Sequence, residues 1–217
     1  MNLSKMRFLL LGASVVSLGI MLGTLLWLKL APTPGHLLWE QPLEGLNRYG
    51  TVPDFSLTER SGKRVALRDL RGKVWVADFI YTTCKDTCPL ESAEMSKLQE
   101  EWSDKPDLKL VSFSVDPDHD TPQVLSSYAQ NFKADANQWL FLTGEKEQIS
   151  RLIQEGFRLS AAPVTESGSQ DQVILHSPRF VLVDKETEIR GYYDSRDGEA
   201  LARLKKDVLT LASGKKE

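Results

Sequence analysis

The chain has 217 residues, of which 41% are hydrophobic and 26% charged, with 14 Gly, 10 Pro and two Cys. That is an ordinary globular composition, which excludes collagen-like, low-complexity and largely disordered proteins. Two cysteines exclude a disulfide-stapled scaffold and a four-thiolate zinc or iron–sulfur site within one chain, and a formal charge of −3 lacks the basic footprint of a nucleic-acid binder.

The charge is unevenly distributed. Phe8 to Leu28 is a run of 21 residues without a charge, preceded by Lys5 and Arg7 and followed by Lys29. At helical rise such a run spans about 31 Å, the hydrocarbon thickness of a bilayer. A cleavable signal peptide fits less well, because its apolar region is usually about 7–15 residues long. Lys29 also stands where a small residue is wanted before an exit at Ala31, and no cysteine is nearby to take a lipid. A buried soluble helix fits less well still, since the run has no polar face. The segment therefore reads as a single transmembrane signal anchor over residues 8–28. Lys5 and Arg7 hold residues 1–7 in the cytoplasm, and the remainder is exported, as across a bacterial inner membrane. Residues 31–217 carry 24 basic and 30 acidic side chains, a formal charge of −6.

Residues 29–50 contain Pro32, Pro34, Gly35, Pro42 and Gly45 with little periodicity and read as a tether. Residues 51–213 read as one domain, followed by a tail over 214–217. Asp54–Thr58 and Arg64–Leu67 flank a Ser61–Gly62 turn signal and predict a β-hairpin. Val74–Tyr81 is a nearly continuous apolar run, as expected of a central strand buried on both faces. A helix is predicted from Pro89 to Trp102, with the proline in its first turn. Next come a strand over Leu108–Val115, a helix over Thr121–Phe132, a short strand over Trp139–Leu142 and a helix over Glu145–Phe157. Two strands, Arg179–Asp184 and Glu188–Tyr193, precede a closing amphipathic helix, Gly198–Ala212. This alternation implies an α/β fold with a central sheet covered by helices on both faces.

Cys84 and Cys88 lie between the buried strand and the helix that follows it. The first turn of a helix offers unpaired amide donors and a positive dipole end, both of which favour thiolate over thiol. Three intervening residues let the sulfurs meet, either as a disulfide when oxidised and metal-free or bridged by a metal. Stabilisation is a poor reason for such a small ring, which removes little unfolded-state entropy. Among the three histidines, His36 sits in the tether, His119 in a loop leaving a strand, and His176 just before the strand at Arg179. His176 is the candidate third ligand, because its loop can approach the cysteine turn. Two thiolates and an imidazole suit Cu(I), and with a further donor can hold Cu(II). Asp78 sits in the buried strand, where a charge is costly unless paired. It is either a proton acceptor for a cysteine or a buried acid satisfied by a hydrogen bond. Asp116 and Asp120 could orient a ligand or contact a partner; alternatively Asp116 serves an Asp-Pro turn, and Asp120 or Thr121 caps the helix at Pro122, the reading preferred for Asp120.

The blocks DFIYTTCKDTCP, SVDPDHDTP and ILHSPRFVLVD, in this order and spacing, resemble the SCO/SenC family of membrane-anchored copper proteins over about residues 50–212. The resemblance implies a thioredoxin-like three-layer fold with an added N-terminal β-hairpin, and one copper per chain held by Cys84, Cys88 and His176. It further implies delivery of copper to the CuA-bearing subunit of cytochrome c oxidase, with another copper carrier or a thiol reductant as further partners. Lys85 stands where the motif often has proline, and Leu175 where many members have an acid before the histidine. Pro178 occupies a place comparable to the cis-proline of thioredoxins. The competing expectation is a thiol–disulfide oxidoreductase that keeps the acceptor's cysteines reduced, with Cys84 and Cys88 as its catalytic pair. A peroxidase or redox sensor is a weaker third, since position 81 is Tyr where a peroxiredoxin motif has Thr or Ser.

Overall fold

The structure, a computed structural model, describes Ser17, Gly19, Met21 and Gly23, residues 46–159 and residues 178–214. The chain divides into two compact units, Met1–Pro42 and Leu43–Glu217. Of the first, the four described residues are helical. Among the described residues no helix is long and apolar enough to cross a membrane. The remainder of the predicted anchor lies outside them.

The second unit is built on an eight-stranded sheet: β1 (Gly50–Thr51), β2 (Ser56–Glu59), β3 (Arg64–Ala66), β4 (Val74–Ile80), β5 (Leu108–Ser114), β6 (Trp139–Thr143), β7 (Arg179–Val183) and β8 (Glu188–Asp194). Their spatial order is β1-β8-β7-β4-β5-β6-β2-β3. β4, β5 and β6 are parallel, while β7 runs antiparallel to β4 and β8 antiparallel to β7. The β2–β3 hairpin adds to the β6 edge. Among the described residues the α-helices are α1 (Thr87–Glu101), α2 (Pro122–Asn131), α3 (Lys146–Arg151) and α4 (Gly198–Ala212).

All seven residues of β4 are buried, because the strand lies mid-sheet with a layer on each face. Side chains alternate across a strand, so its two sets of residues enter two different cores. Trp75, Ala77 and Phe79 meet Phe55, Phe113, Ile149, Ile153 and Phe157 on one face. Val74, Val76 and Ile80 meet Cys88, Met95, Leu125, Phe180, Leu204 and Val208 on the other. α1, α2 and α4 therefore share one face, and α3 covers the other. The result is the expected three-layer arrangement, with the hairpin added at its edge.

Three differences from the sequence reading have local causes. The last residues of the expected tether run along the sheet edge: Gly50 opens β1, Asn47 N–H donates to the Arg190 carbonyl and Tyr49 N–H to the Ile189 carbonyl, both at 2.9 Å. Such short pairing carries no periodic pattern. The helix expected over Glu145–Phe157 changes pitch after Arg151 into a π-helical turn, Leu152–Gly156. There a Cβ on Gly156 would lie 2.6 Å from Pro53 Cδ, so only glycine allows that approach. Finally, α1 begins at Thr87, two residues ahead of Pro89, which places Cys88 inside its first turn.

Phe113 is the hub of the first core. Its ring stacks on Phe79 at 5.6 Å between centroids and also meets Phe55, Trp75 and Phe157. Phe113→Ala should cost about 3–5 kcal/mol, the usual range for emptying a fully buried aromatic site. A urea midpoint lowered to that extent, with an unchanged slope, would verify the hub.

Candidate metal centre

The segment from Tyr81 to Asp86 joins the central strand to α1 and carries Cys84. Its turn is closed by the Cys84 N–H, which donates to the Tyr81 carbonyl at 3.1 Å. α1 has no side-chain cap from Asp86 and no acid in its first turn. Instead the Cys88 N–H donates to Cys84 Sγ at 3.5 Å. The sulfur occupies the role that a capping oxygen usually fills, and the dipole end faces it without a competing carboxylate. Both cysteines are free thiols and buried, Cys84 at 8% exposure and Cys88 at 0%.

The two thiols are unequal. Burial alone would raise Cys84, but hydrogen bonds from the Asp86 and Cys88 backbone, the Cys88 side chain and the Tyr81 hydroxyl outweigh it and hold it below the ordinary thiol range. Burial pushes Cys88 far up, with its hydrogen bond to Cys84 and the Cys84 and Glu91 charges adding to it. Tyr81 is raised by burial and by its bond to the same sulfur. Together these make Cys84 the first of the pair to ionise, with the Cys88 thiol donating to its sulfur. Lys85, between the cysteines, is exposed.

Beneath the cysteines lies a group of buried polar side chains that sequence reasoning met only in part. Asp78 is fully buried; neither carboxylate oxygen makes a hydrogen bond of regular geometry, though Ser112, its pair across β4–β5, and its own backbone partly favour the charged form. It shares a sheet face with Val76 and Ile80, on the side covered by α1. Burial raises its pKa to about 7. Glu91, one turn beyond Cys88, is 2% exposed, and burial followed by the Asp78 charge raises it to about 9. Its Oε1 accepts from Ser195 Oγ at 3.2 Å, while Oε2 is unpartnered. Ser92 and Tyr128 bond to each other at 2.9 Å nearby. In the sequence Glu91 looks like a solvent-facing charge of PLESAEM. Only the earlier helix start, which puts Cys88, Glu91, Ser92 and Met95 on one buried stripe, identifies it.

The remaining candidates separate. Thr121 caps α2, its hydroxyl accepting from the Val124 N–H at 3.3 Å. Asp120 is not the cap: it is fully buried and holds Thr82, Ser114 and His119. Asp116 serves a turn, its carbonyl accepting from the N–H groups of His119 and Asp120 at 3.1 and 2.8 Å. His119 is half exposed and bonds Asp120 through Nδ1 at 3.0 Å. His36, His176 and the Ser177–Pro178 peptide bond lie outside the described residues, as does Leu175. Pro178 is described, and its carbonyl accepts from the Ser195 N–H at 2.9 Å and Oγ at 3.0 Å. Ser195 also reaches Glu91, so the start of β7 is tied to α1 one turn from Cys88. Among the described residues no cluster of three His, Cys, Asp or Glu side chains could hold a metal ion.

A profile of the SCO1/SenC family matches residues 44–211. The SCO1 protein homolog of Bacillus subtilis is 33% identical over 164 residues, covering 75% of this chain and 83% of that protein. The solved structure of BsSco, described as a member of the Sco family of cytochrome c oxidase assembly proteins with a disulfide switch, is 29% identical with a TM-score of 0.65. That match covers 81% of this chain and 100% of BsSco. Copper-bound ScoI of Bradyrhizobium japonicum is 26% identical with a TM-score of 0.58, covering 73% of this chain and 99% of its own.

Asp78 makes stability depend on pH with a definite sign. The unfolded carboxyl ionises near 4 and the folded one near 7, so the native state binds more protons between those values and loses stability as pH rises through them. Asp78→Asn should therefore shift stability in the protein's favour at pH 8 relative to pH 4, by a difference on the order of 4 kcal/mol. Urea midpoints at the two pH values check this. An equal effect at both would mean that the acid titrates normally.

Proposed function

The chain belongs to the SCO1/SenC family, and on that premise we propose that it is a membrane-anchored copper carrier that supplies the CuA site of cytochrome c oxidase. Copper is the cargo, held by the Cys84 and Cys88 sulfurs and the His176 imidazole. The observation that carries the reading is the paired sulfurs at the start of α1, the first of them favoured towards its charged form by donors fixed in the fold. Soft sulfur donors and one imidazole are the set that Cu(I) prefers. His176 is two residues ahead of Pro178, and two residues reach at most about 7 Å. Pro178, tied through Ser195 to Glu91, is thus an anchor from which that imidazole can meet the cysteines.

Loading requires Cys88 to lose its proton, since the metal binds thiolate. Asp78, buried on the same face with neither oxygen in a hydrogen bond of regular geometry, is the proposed acceptor for that proton. The exposed edge of the site lies at Cys84, which is 8% accessible against 0% for Cys88. A partner's thiolate therefore enters at Cys84 and displaces the ligands one at a time, leaving Cys88 until last. Asp116, partly exposed in the neighbouring loop, is placed to meet such a partner. Phe8–Leu28 is the proposed anchor, with residues 1–7 cytoplasmic and the copper domain on the exported side.

The inequality of the two thiols supports a second reading, reduction of a disulfide on the acceptor. Cys84 thiolate would attack one acceptor sulfur, forming a mixed disulfide and releasing the other sulfur as a thiolate. Cys88, after losing its proton, would attack Cys84 and release the second acceptor thiol. The acceptor gains two electrons and Cys84–Cys88 becomes a disulfide.

Anaerobic Cu(I) titration of the reduced full-length chain in detergent, against a competing chelator, tests the proposal. One copper per chain is expected, lost in Cys84→Ala and Cys88→Ala. His176→Ala should weaken it by more than about tenfold, the cost seen even for partners one layer outside the ligands. Unchanged copper affinity in His176→Ala, with dithiol chemistry retained, would replace the copper reading with the reductase.

A further inference from the structure

Asp120 accepts hydrogen bonds from four groups in three segments while being fully buried. Thr82 donates its N–H at 3.1 Å to Oδ2 and its hydroxyl at 2.5 Å to Oδ1. Ser114, the last residue of β5, donates its hydroxyl to Oδ2 at 2.7 Å. His119 Nδ1 closes the ring at 3.0 Å from Oδ1 and stands 3.4 Å from the Thr82 hydroxyl. A helix cap needs none of this, since Thr121 already caps α2. A buried carboxylate with so many donors is a fixed point, because losing any donor leaves a desolvated charge.

What the fixed point holds is the turn carrying the first cysteine. Thr82 is two residues before Cys84, inside the turn that the Cys84 N–H closes on the Tyr81 carbonyl. Asp120 grips that turn through both the backbone and the side chain of Thr82. Ser114 and the neighbouring Val115, whose N–H donates to the Ile80 carbonyl at 2.8 Å, supply a rigid base at the end of the parallel β4–β5 pair. At the far end of the turn, Cys84 Sγ accepts from the Cys88 N–H at 3.5 Å, an ordinary distance for a sulfur acceptor, and a slide of the turn would lengthen that bond.

We infer that Asp120 is the positioning residue of Cys84, acting through Thr82 to hold the sulfur against the first amides of α1. His119 completes the clamp from the solvent side, where water can replace it, so its share is smaller than that of Thr82. The inference deepens the proposed function in one respect: it assigns what keeps the first ligand sulfur in place, and it rests on Cys84 being a ligand of that site.

The test is made on the reduced, metal-free full-length chain in detergent, by following iodoacetamide modification of Cys84 as a function of pH with site-resolved mass spectrometry. A change in access rescales the rate at every pH, whereas loss of positioning moves the midpoint of the profile upward. In Thr82→Val the rate at pH 7, relative to the high-pH plateau, should fall about three- to tenfold, the worth of one ordinary intramolecular hydrogen bond. Thr82→Ser keeps the hydroxyl and should restore the profile to within about twofold. Ser114→Ala removes a donor to Oδ2, the oxygen that also takes the Thr82 N–H, but leaves both Thr82 bonds to the turn; it should move the midpoint in the same direction by clearly less than Thr82→Val. A Thr82→Val profile like that of the parent would overturn the inference. So would a Ser variant as impaired as Val, or a Ser114→Ala shift of equal size. Because no copper is present, failure here leaves the copper reading standing, and failure of the copper titration leaves this result intact.

Discussion

The hydrogen bond from the Cys88 N–H to Cys84 Sγ is the constraint around which the site is arranged. A helix that begins under a buried strand must find acceptors for its first amides, and an ordinary protein supplies a side-chain oxygen. Here a sulfur does so. One contact caps α1, brings the two sulfurs together and favours the charged form of the first. The β4–β5 pair and the Asp120 clamp exist on either side of it as rigid supports, and the position of α1 on the sheet follows from where Cys88 and Met95 enter the second core.

The same face of the sheet carries a cost. Asp78 and Glu91 are carboxyl groups in a layer otherwise filled by Val76, Ile80, Met95 and Leu98, and three of their four oxygens lack a hydrogen bond of regular geometry. Burial makes both reluctant to ionise. Two carboxyl groups that resist ionisation in one buried layer are a cost to the fold, and the charge of each disfavours that of the other. A core designed for stability alone would place apolar residues there.

Much of this architecture is legible without coordinates. β4 stands out because burial on both faces leaves a run of apolar residues, and α4 matches its predicted bounds of Gly198–Ala212 because Leu204 and Val208 repeat at helical spacing towards the core. The cysteine pair is legible from its place between strand and helix. Other features leave no local pattern. The two-residue strand β1 is defined only by its partner β8, and the π-helical turn depends on the distant Pro53. Glu91 resembles any exposed helical acid until the start of α1 is known. Asp120 looks like a cap because Asp-Thr-Pro is capping chemistry, and its contact with Thr82, 38 residues earlier in the chain, has no trace in the sequence. His176 is marked by its place just before the Arg179 strand and by the motif resemblance, and it lies outside the described residues.

The central claim is that Cys84, Cys88 and His176 hold one copper ion together. X-ray absorption at the copper edge of the loaded, reduced full-length chain measures this directly. The account predicts two sulfur scatterers and one imidazole, with the imidazole signal absent in His176→Ala and both sulfurs retained. A copper environment with fewer than two sulfurs, or an imidazole signal that survives the His176 substitution, would contradict it.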